Sequence, residues 1–520
     1  MISVGEALVE GLRARGVEVV FGIPGVHTIA LYRGLPGSGI RHVTARHEQG
    51  AAFMADGYAR VSGKPGVAFV ITGPGLTNAL TAMAQAKADS IPILVISGVN
   101  RRASLGMGLG LLHELPDQAA MVAALCPTFQ VTSPEALEPV LDAAFTALAT
   151  GRPGPVHIEV PTDVMPMPAA AAAARTAPAP RGARHEWLAE AARRLSASAR
   201  PVILAGGGVR HADAALQALA ERLDAPVVQT TNARGLMHGH PLTVPASPSL
   251  ESVRALIAGA DCVLAVGTEF GPTDYDMYAR GGFPDVSAMI RIDICAGQLA
   301  RHPAGLAVQA DVGPALEALL PTLPQAQHDG AARASATRQA AWAELTPAMQ
   351  AQVALLNTLR AAIPGAIIVG DSTQPIYAGN LYYDHDRPGG WFNAATGYGA
   401  LGFAPGAAVG AALAAPGTPV ICLIGDGGLQ FSPGELRTAV DEALPITYVV
   451  WNNAGFREIA EAMREAGTAV LGCTPSPLRM APFAAACDLP FTSVPPEASA
   501  LQTALISAGT GPRMIEIRVP

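Results

Sequence analysis

The chain has 520 residues, 50% apolar and only 15% charged, which excludes a disordered polymer and calls for more than one hydrophobic core. Its formal net charge is -8 with no basic cluster, so nucleic acid is not expected as a partner. No apolar run reaches the roughly 18–20 residues of a membrane span, so no membrane contact is expected. The six cysteines form no CxxC pair, so neither a zinc site nor a disulfide framework is indicated.

In chain order, MISVGEALVEGLRARGVEVVF begins with acidic residues and a helical apolar period. It lacks the basic start and continuous apolar stretch of a signal peptide, and a cytoplasmic protein is the expectation. Short β-branched runs then alternate with Ala/Leu-rich amphipathic stretches: VEVVFGIPG, GVAFVITGPG and IPILVISG. Between the first two lies TARHEQGAAFMADGYARVSG, a strand tip running into a helix with Glu48 in its first turn, where a carboxylate suits the helix dipole. AAAAAARTAPAPRGAR, ending at Arg184, and LPTLPQAQHDGAARASATRQ, starting at Leu320, are rich in Ala and Pro and are read as linkers. They divide the chain into domains at 1–170, 185–325 and 340–520.

The middle domain repeats the alternation in PVILAGGG, DCVLAVGTE and AMIRIDI, the last in AIIVGD, PVICLIGDG and PITYVVWNN. Such alternation predicts an α/β fold of three doubly wound domains with mostly parallel sheets. KADSIPILVISGVN and VDEALPITYVVWNN echo each other faintly, which suggests related folds at the two ends of the chain. AGGG lacks the GxGxxG spacing of a dinucleotide fingerprint, so FAD is not expected.

The sharpest signal is GDGGLQF at the end of PVICLI: 24 residues separate Gly427 from Asn452. The segment between is read as a crossover whose helix has Ser432 as N-cap, Pro433 at the first helical position and Glu435 closing a capping box. This βαβ unit brings Asp426 and Asn453 to one edge of neighbouring strands. One carboxylate and one amide oxygen suit Mg2+, which shares its octahedron with substrate phosphates, and Gly425 and Gly427 let the backbone approach a diphosphate.

These residues resemble the diphosphate-binding signature of thiamine diphosphate enzymes of the acetolactate synthase, pyruvate oxidase and pyruvate decarboxylase type, and the resemblance covers essentially the whole chain. It implies a pyrimidine-binding, a central and a diphosphate-binding domain. It also implies Mg2+ held by Asp426, Asn453 and the Gly455 carbonyl, with Gly425, Gly427 and Gly428 at the diphosphate. HEQGAAFMADGYA is similar to the family's segment that bonds the aminopyrimidine N1′, a role that falls to Glu48. Gly25, with Gly73 and Asn78 of GPGLTNAL, would lie beside the pyrimidine. Gly399 would offer its carbonyl to the 4′-amino group, and Leu401, where many relatives carry Met, would support the bent cofactor. Because the family places this Glu and the metal in different subunits, self-association is implied, a dimer at least and a tetramer by extension.

On the substrate side, His27 follows a strand tip, and His113 falls where decarboxylases of the family keep a histidine. Both are candidates for proton delivery. The glutamate that pyruvate decarboxylases hold after Asn-Asn is replaced by Ile459, with Glu458 alongside. LHELPDQ with GIPGVHT, GDGGLQF and WNNAGFREI looks most like 5-guanidino-2-oxopentanoate (2-ketoarginine) decarboxylases. A guanidinium wants a carboxylate fork, for which Glu114, Asp117, Glu458 and Asp384 all stay open. The expected activity is non-oxidative decarboxylation of a small 2-oxo acid; the alternatives are an acetolactate synthase-like carboligase and a flavin-linked 2-oxo acid oxidase.

Overall fold

Apolar runs without alternation are what a strand needs when helices cover both faces of its sheet. Ile93–Val99 and Val420–Gly425, two such runs, are buried at every position. The structure, a computed structural model, describes residues 1–171, 185–277, 283–506 and 511–520. It contains three six-stranded sheets. In the first, β1 (Val19–Gly22), β2 (Arg41–Thr44), β3 (Gly66–Val70), β4 (Ile93–Val99), β5 (Thr128–Gln130) and β6 (Val156–Pro161) are all parallel, in the order β2-β1-β3-β4-β6-β5.

The middle sheet is also parallel throughout. It comprises β7 (Pro201–Ala205), β8 (Val227–Gln229), β9 (Thr243–Val244), β10 (Cys262–Val266), β11 (Ile290–Asp293) and β12 (Leu306–Gln309), in the order β9-β8-β7-β10-β11-β12. The third contains β13 (Ile367–Gly370), β14 (Trp391–Asn393), β15 (Val420–Gly425), β16 (Ile446–Asn452), β17 (Phe491–Val494) and β18 (Arg513–Arg518), in the order β14-β13-β15-β16-β18-β17. Counted within each sheet, the first and third share one order. The echoing segments are their fourth strands, β4 and β16. Three α/β layers of this kind agree with the predicted class.

Helices needed below are α1 (Glu48–Ser62), α2 (Pro74–Ala88), α3 (Gly330–Glu344), α4 (Phe403–Ala414), α5 (Asp426–Leu429), α6 (Glu435–Asp441) and α7 (Arg457–Glu465). The chain divides into two units, Met1–Ala179 with Tyr398–Ser493 and Gly509–Glu516, and Pro180–Gly397 with Val494–Ala508 and Ile517–Pro520. In the first unit α1 and α4 pack backbone to backbone. A Cβ at Gly57 would lie 2.0 Å from the Ala407 carbonyl oxygen, and one at Gly410 1.9 Å from that of Met54. Phe53 and Phe403 meet edge to face at 5.3 Å, a contact worth about 0.5–1.5 kcal/mol beyond the area it buries. Arg60, buried in the same interface, pairs with Asp56 at 2.6 Å and Asp89 at 2.7 Å.

Of the two expected linkers, the first lies from residue 172 to 184 outside the described residues. The second is corrected: after a turn at Leu320–Thr322 the chain enters α3 at Gly330, and Arg333 and Thr337 are buried. Alanine is the best helix former, so an Ala-rich stretch with buried positions becomes a helix rather than a tether.

Candidate active site

The register of β15 on β16 sets Gly425 opposite Trp451, so the residues that follow, Asp426 and the Asn-Asn pair, emerge at one sheet edge. The Asn453 N–H donates to Asp426 Oδ1 at 3.4 Å. The two asparagines have different work. Asn452 is tied into the fold, donating from Nδ2 to Glu516 at 2.6 Å and accepting the Ala454 N–H at 3.1 Å. A left-handed turn at Ala454, φ 57°, then leads to Gly455. Burial pushes the Asp426 carboxyl above its ordinary range, against the pull of the Asn453, Asp426, Gly427 and Gly455 N–H groups. A buried carboxylate of this kind is one that a divalent cation would return to the ionised form. Among the described residues no three His, Cys, Asp or Glu side chains converge on a metal-sized site. A carboxylate, an amide and backbone oxygens fit Mg2+ better than zinc. Gly427 has a second reason to be glycine, because a Cβ there would lie 2.5 Å from the Phe456 ring.

Glu48 opens α1, with His47 as N-cap accepting the Gln49 N–H. Its carboxylate is half-buried and accepts from Asn78 Nδ2 of α2 at 3.0 Å. Gly75 and Gly25 let this corner close: a Cβ on Gly75 would sit 2.7 Å from Ile71 and 3.6 Å from Glu48 Oε1, and one on Gly25 2.3 Å from Ile71. Gly73, φ 63°, turns the chain after β3, and a Cβ there would lie 2.6 Å from the His113 carbonyl oxygen. His113 itself holds φ 60°, and its ring meets the His27 ring edge to face at 5.3 Å. Burial, then the nearby His113, keeps the His27 pKa below its usual value. Thus Glu48, Asn78 and Gly25 adjoin at one corner, and Gly73 joins His27 and His113 at the next.

Gln118, read only as part of LHELPDQ, is the residue sequence reasoning missed here. It accepts Thr72 Oγ1 at 2.8 Å and the Gly73 N–H at 3.1 Å. Its amide nitrogen donates to Ser97, the Gly98 carbonyl and Glu159. Its position two residues after Glu-Leu-Pro carries no sequence signal for that role.

Gly399, φ 78°, is exposed and Leu401 half-buried, on a turn held at Ala400 by Gln85, whose Oε1 accepts the Ala400 N–H at 3.1 Å. The predicted cap at α6 is corrected. The helix begins at Glu435 with Gly434 at the cap and no side-chain cap bond. Ser432 Oγ donates instead to the Gly402 carbonyl at 2.7 Å, and the Glu435 carboxylate accepts the Arg46 and His47 N–H groups at 3.1 Å. Buried donors elsewhere in the fold outcompete the local box.

The guanidinium candidates separate. Glu114 accepts the Leu109 and Leu111 N–H groups at 3.1 and 2.8 Å, and Asp117 caps a helix through Ala120. Both line a cavity of about 230 Å³ with Gln118, Gln130 and Glu159. Burial, then Glu461 and Glu465, raises the Glu458 pKa, and the neighbouring Ile459 is 55% exposed. Asp384, in the second unit, pairs with His238 at 2.9 Å.

Comparison with known proteins bears on this arrangement. Residues 2–121 match the thiamine pyrophosphate enzyme N-terminal TPP binding domain, 188–319 the central domain and 371–517 the C-terminal TPP binding domain. The chain is 45% identical over 474 residues to the probable 2-ketoarginine decarboxylase AruI of Pseudomonas aeruginosa, covering 89% of this chain and 84% of that protein. It is 32% identical over 472 residues to the acetolactate synthase isozyme 1 large subunit of Escherichia coli, covering 86% of this chain and 81% of that protein. It is 30% identical over 484 residues to the probable acetolactate synthase large subunit of Methanocaldococcus jannaschii, with shares of 86% and 80%. With three successive domain matches and relatives of this identity across most of its length, the chain belongs to the thiamine pyrophosphate enzyme family.

Proposed function

We propose that the protein catalyses the non-oxidative decarboxylation of a 2-oxo acid with thiamine diphosphate and Mg2+, and that the substrate is 5-guanidino-2-oxopentanoate. The observation that carries this reading is His113, packed on the Gly73 turn and facing His27, in a chain 45% identical to a relative named as a probable 2-ketoarginine decarboxylase. When bound, thiamine diphosphate supplies the electron sink that loss of CO2 from a 2-oxo acid requires. Asp426, Asn453 and the Gly455 carbonyl hold Mg2+, and the backbone of Gly425, Gly427 and Gly428 receives the diphosphate. Glu48, oriented by Asn78, holds a proton at the pyrimidine ring, where Gly25, Gly73, Gly399 and Leu401 shape the site.

Decarboxylation replaces a carboxylate by a proton, and His27 with His113 delivers it. Burial lowers the His27 pKa and so favours its neutral form, and an imidazole is the side-chain type suited to such proton delivery. The smallest active unit is a dimer in which Glu48 of one chain and Asp426 of the other serve one cofactor, and a tetramer doubles it. The proposed location is the cytoplasm; no described helix is long and apolar enough to cross a membrane. The three domains are proposed to lie at 1–170, 185–325 and 340–520.

The test is CO2 release from a panel of 2-oxo acids that includes 2-ketoarginine and pyruvate, with Mg2+ and cofactor supplied. Release from 2-ketoarginine above the others is expected; no release from any would defeat the proposal. Relatives named acetolactate synthase favour carboligation as a second reading, and acetolactate formed from pyruvate would select it. Flavin absorbance in the purified protein would select the oxidase.

A further inference from the structure

Glu435 is a carboxylate only 1% exposed, on the first turn of α6, ten residues or fewer from the diphosphate glycines. Its hydrogen bonds come from backbone N–H groups and a hydroxyl. Oε1 accepts the Arg46 N–H and the His47 N–H, both at 3.1 Å, and Oε2 accepts Arg46 N–H at 3.3 Å and Thr438 Oγ1 at 2.9 Å. Arg46 and His47 are the two residues that lead into α1, and the next residue is Glu48. A buried carboxylate bonded to two backbone N–H groups costs much to displace, so these donors are fixed in place.

The approach is closed from the other side by Gly50, where a Cβ would lie 2.0 Å from Glu435 Oε1. The same stretch meets α6 at two further points: Thr438 Oγ1 lies 3.3 Å from the Thr44 carbonyl oxygen, and Arg46 pairs with Asp441. Ser432, three residues before Glu435, holds the Gly402 carbonyl and with it the turn that carries Leu401.

We infer that Glu435 is a positioning residue that sets the pyrimidine-side carboxylate Glu48 through the backbone of Arg46 and His47, so that the diphosphate-side segment of a chain aligns the Glu48 of that same chain. The inference rests on the thiamine diphosphate reading for what Glu48 does. The contact itself does not depend on that reading. If Glu48 and Asp426 of one chain serve different cofactors of a dimer, Glu435 joins the two sites within each chain.

The experiment compares the full-length protein with Glu435→Gln, which keeps the shape but turns an amide nitrogen toward donor N–H groups. Amide hydrogen exchange of the peptide spanning residues 44–50, read without cofactor, is expected to quicken by about tenfold or more, as loss of a buried acceptor bonded to two backbone N–H groups implies. In the loaded enzyme kcat is expected to fall about tenfold with KM within about twofold, and Glu435→Gln should add no further loss in a Glu48→Gln background. A residue that only stabilised the fold would lower activity equally in both backgrounds.

Thr438→Val, which removes one bond to the carboxyl group and leaves that group in place, should show the same pattern at about threefold and answers the question if Glu435→Gln does not fold. Glu442→Gln, at the neighbouring surface pair with Arg41, should change neither reading. Unchanged exchange at residues 44–50, or a full additional loss in the Glu48→Gln background, would overturn the inference. Should the unaltered protein show no thiamine-dependent activity, the functional reading falls, and the amide exchange alone decides the contact.

Discussion

The first and third sheets share a strand order, yet their corresponding tips do different things. After the third strand of the first sheet, β3, the chain turns at Gly73, and Gln118 and His113 hold that turn from either side. After the third strand of the third sheet, β15, it presents the buried carboxylate Asp426. The fourth strands repeat the contrast. β4 is followed by Asn100, whose amide donates to the Leu112 carbonyl at 3.1 Å and pins the loop before His113, while β16 runs out at Asn452 and is followed by Asn453 beside Asp426. One topology therefore supplies two equivalent edges. Which of them carries charge and which carries shape is decided by single residues at the strand ends.

The largest effect should come from breaking the charged edge. Asp426→Ala is expected to lower cofactor-dependent turnover on the order of a thousandfold, with added Mg2+ unable to restore it, because the proposed Mg2+ anchor of the diphosphate would lose its carboxylate. Turnover near that of the unaltered protein would show that the two edges do not differ as described. Glu48→Gln keeps the Asn78 contact but removes the proton-holding group, and steady-state assays should find kcat down by about a hundredfold. His113→Ala should cost about tenfold in kcat with little change in cofactor affinity, measured by titrating thiamine diphosphate into the apoprotein.

The shape-bearing edge should answer in stability. Gln118→Ala strips partners from buried Thr72, Gly73 and Glu159, and a denaturant titration should record a loss of about 3 kcal/mol. A smaller effect concerns pH. His157 on β6 is fully buried against Ser97, and burial lowers its pKa to about 3. Because the folded value lies below the unfolded one near 6.5, the neutral ring stabilises the fold above that pH, and the contribution is lost as pH falls from about 6.5 towards 3. Between pH 7 and 5 this amounts to about 1–2 kcal/mol, and His157→Gln should flatten that part of the curve in melts run across the range.

Much of this was legible in the linear chain because it is local. Uninterrupted apolar runs give strands covered on both faces, and Gly-Asp-Gly at the end of one such run, followed by a crossover and Asn-Asn, is a motif whose parts lie within one βαβ unit. The echo between the two fourth strands was faint, and the strand orders gave it meaning. Where the reading missed, a buried polar group had taken a partner far away in sequence. Ser432 and Glu435 fit a capping box by spacing, but they bond to Gly402, Arg46 and His47. An Ala-rich tether became helix α3 because the middle domain had positions to bury it.

By itself, then, the sequence determined the three α/β layers, the family and the residue types at the strand tips, since periodicity, turn chemistry and short motifs need no distant partner. Only the tertiary structure decided that Asn452 braces Glu516 while Asn453 faces Asp426, that Gln118 locks the Gly73 turn, and that Glu435 holds the entry to the Glu48 helix. A buried donor or acceptor must be satisfied, and which group satisfies it depends on what the fold brings within 3 Å or so, a proximity that spacing along the chain does not encode.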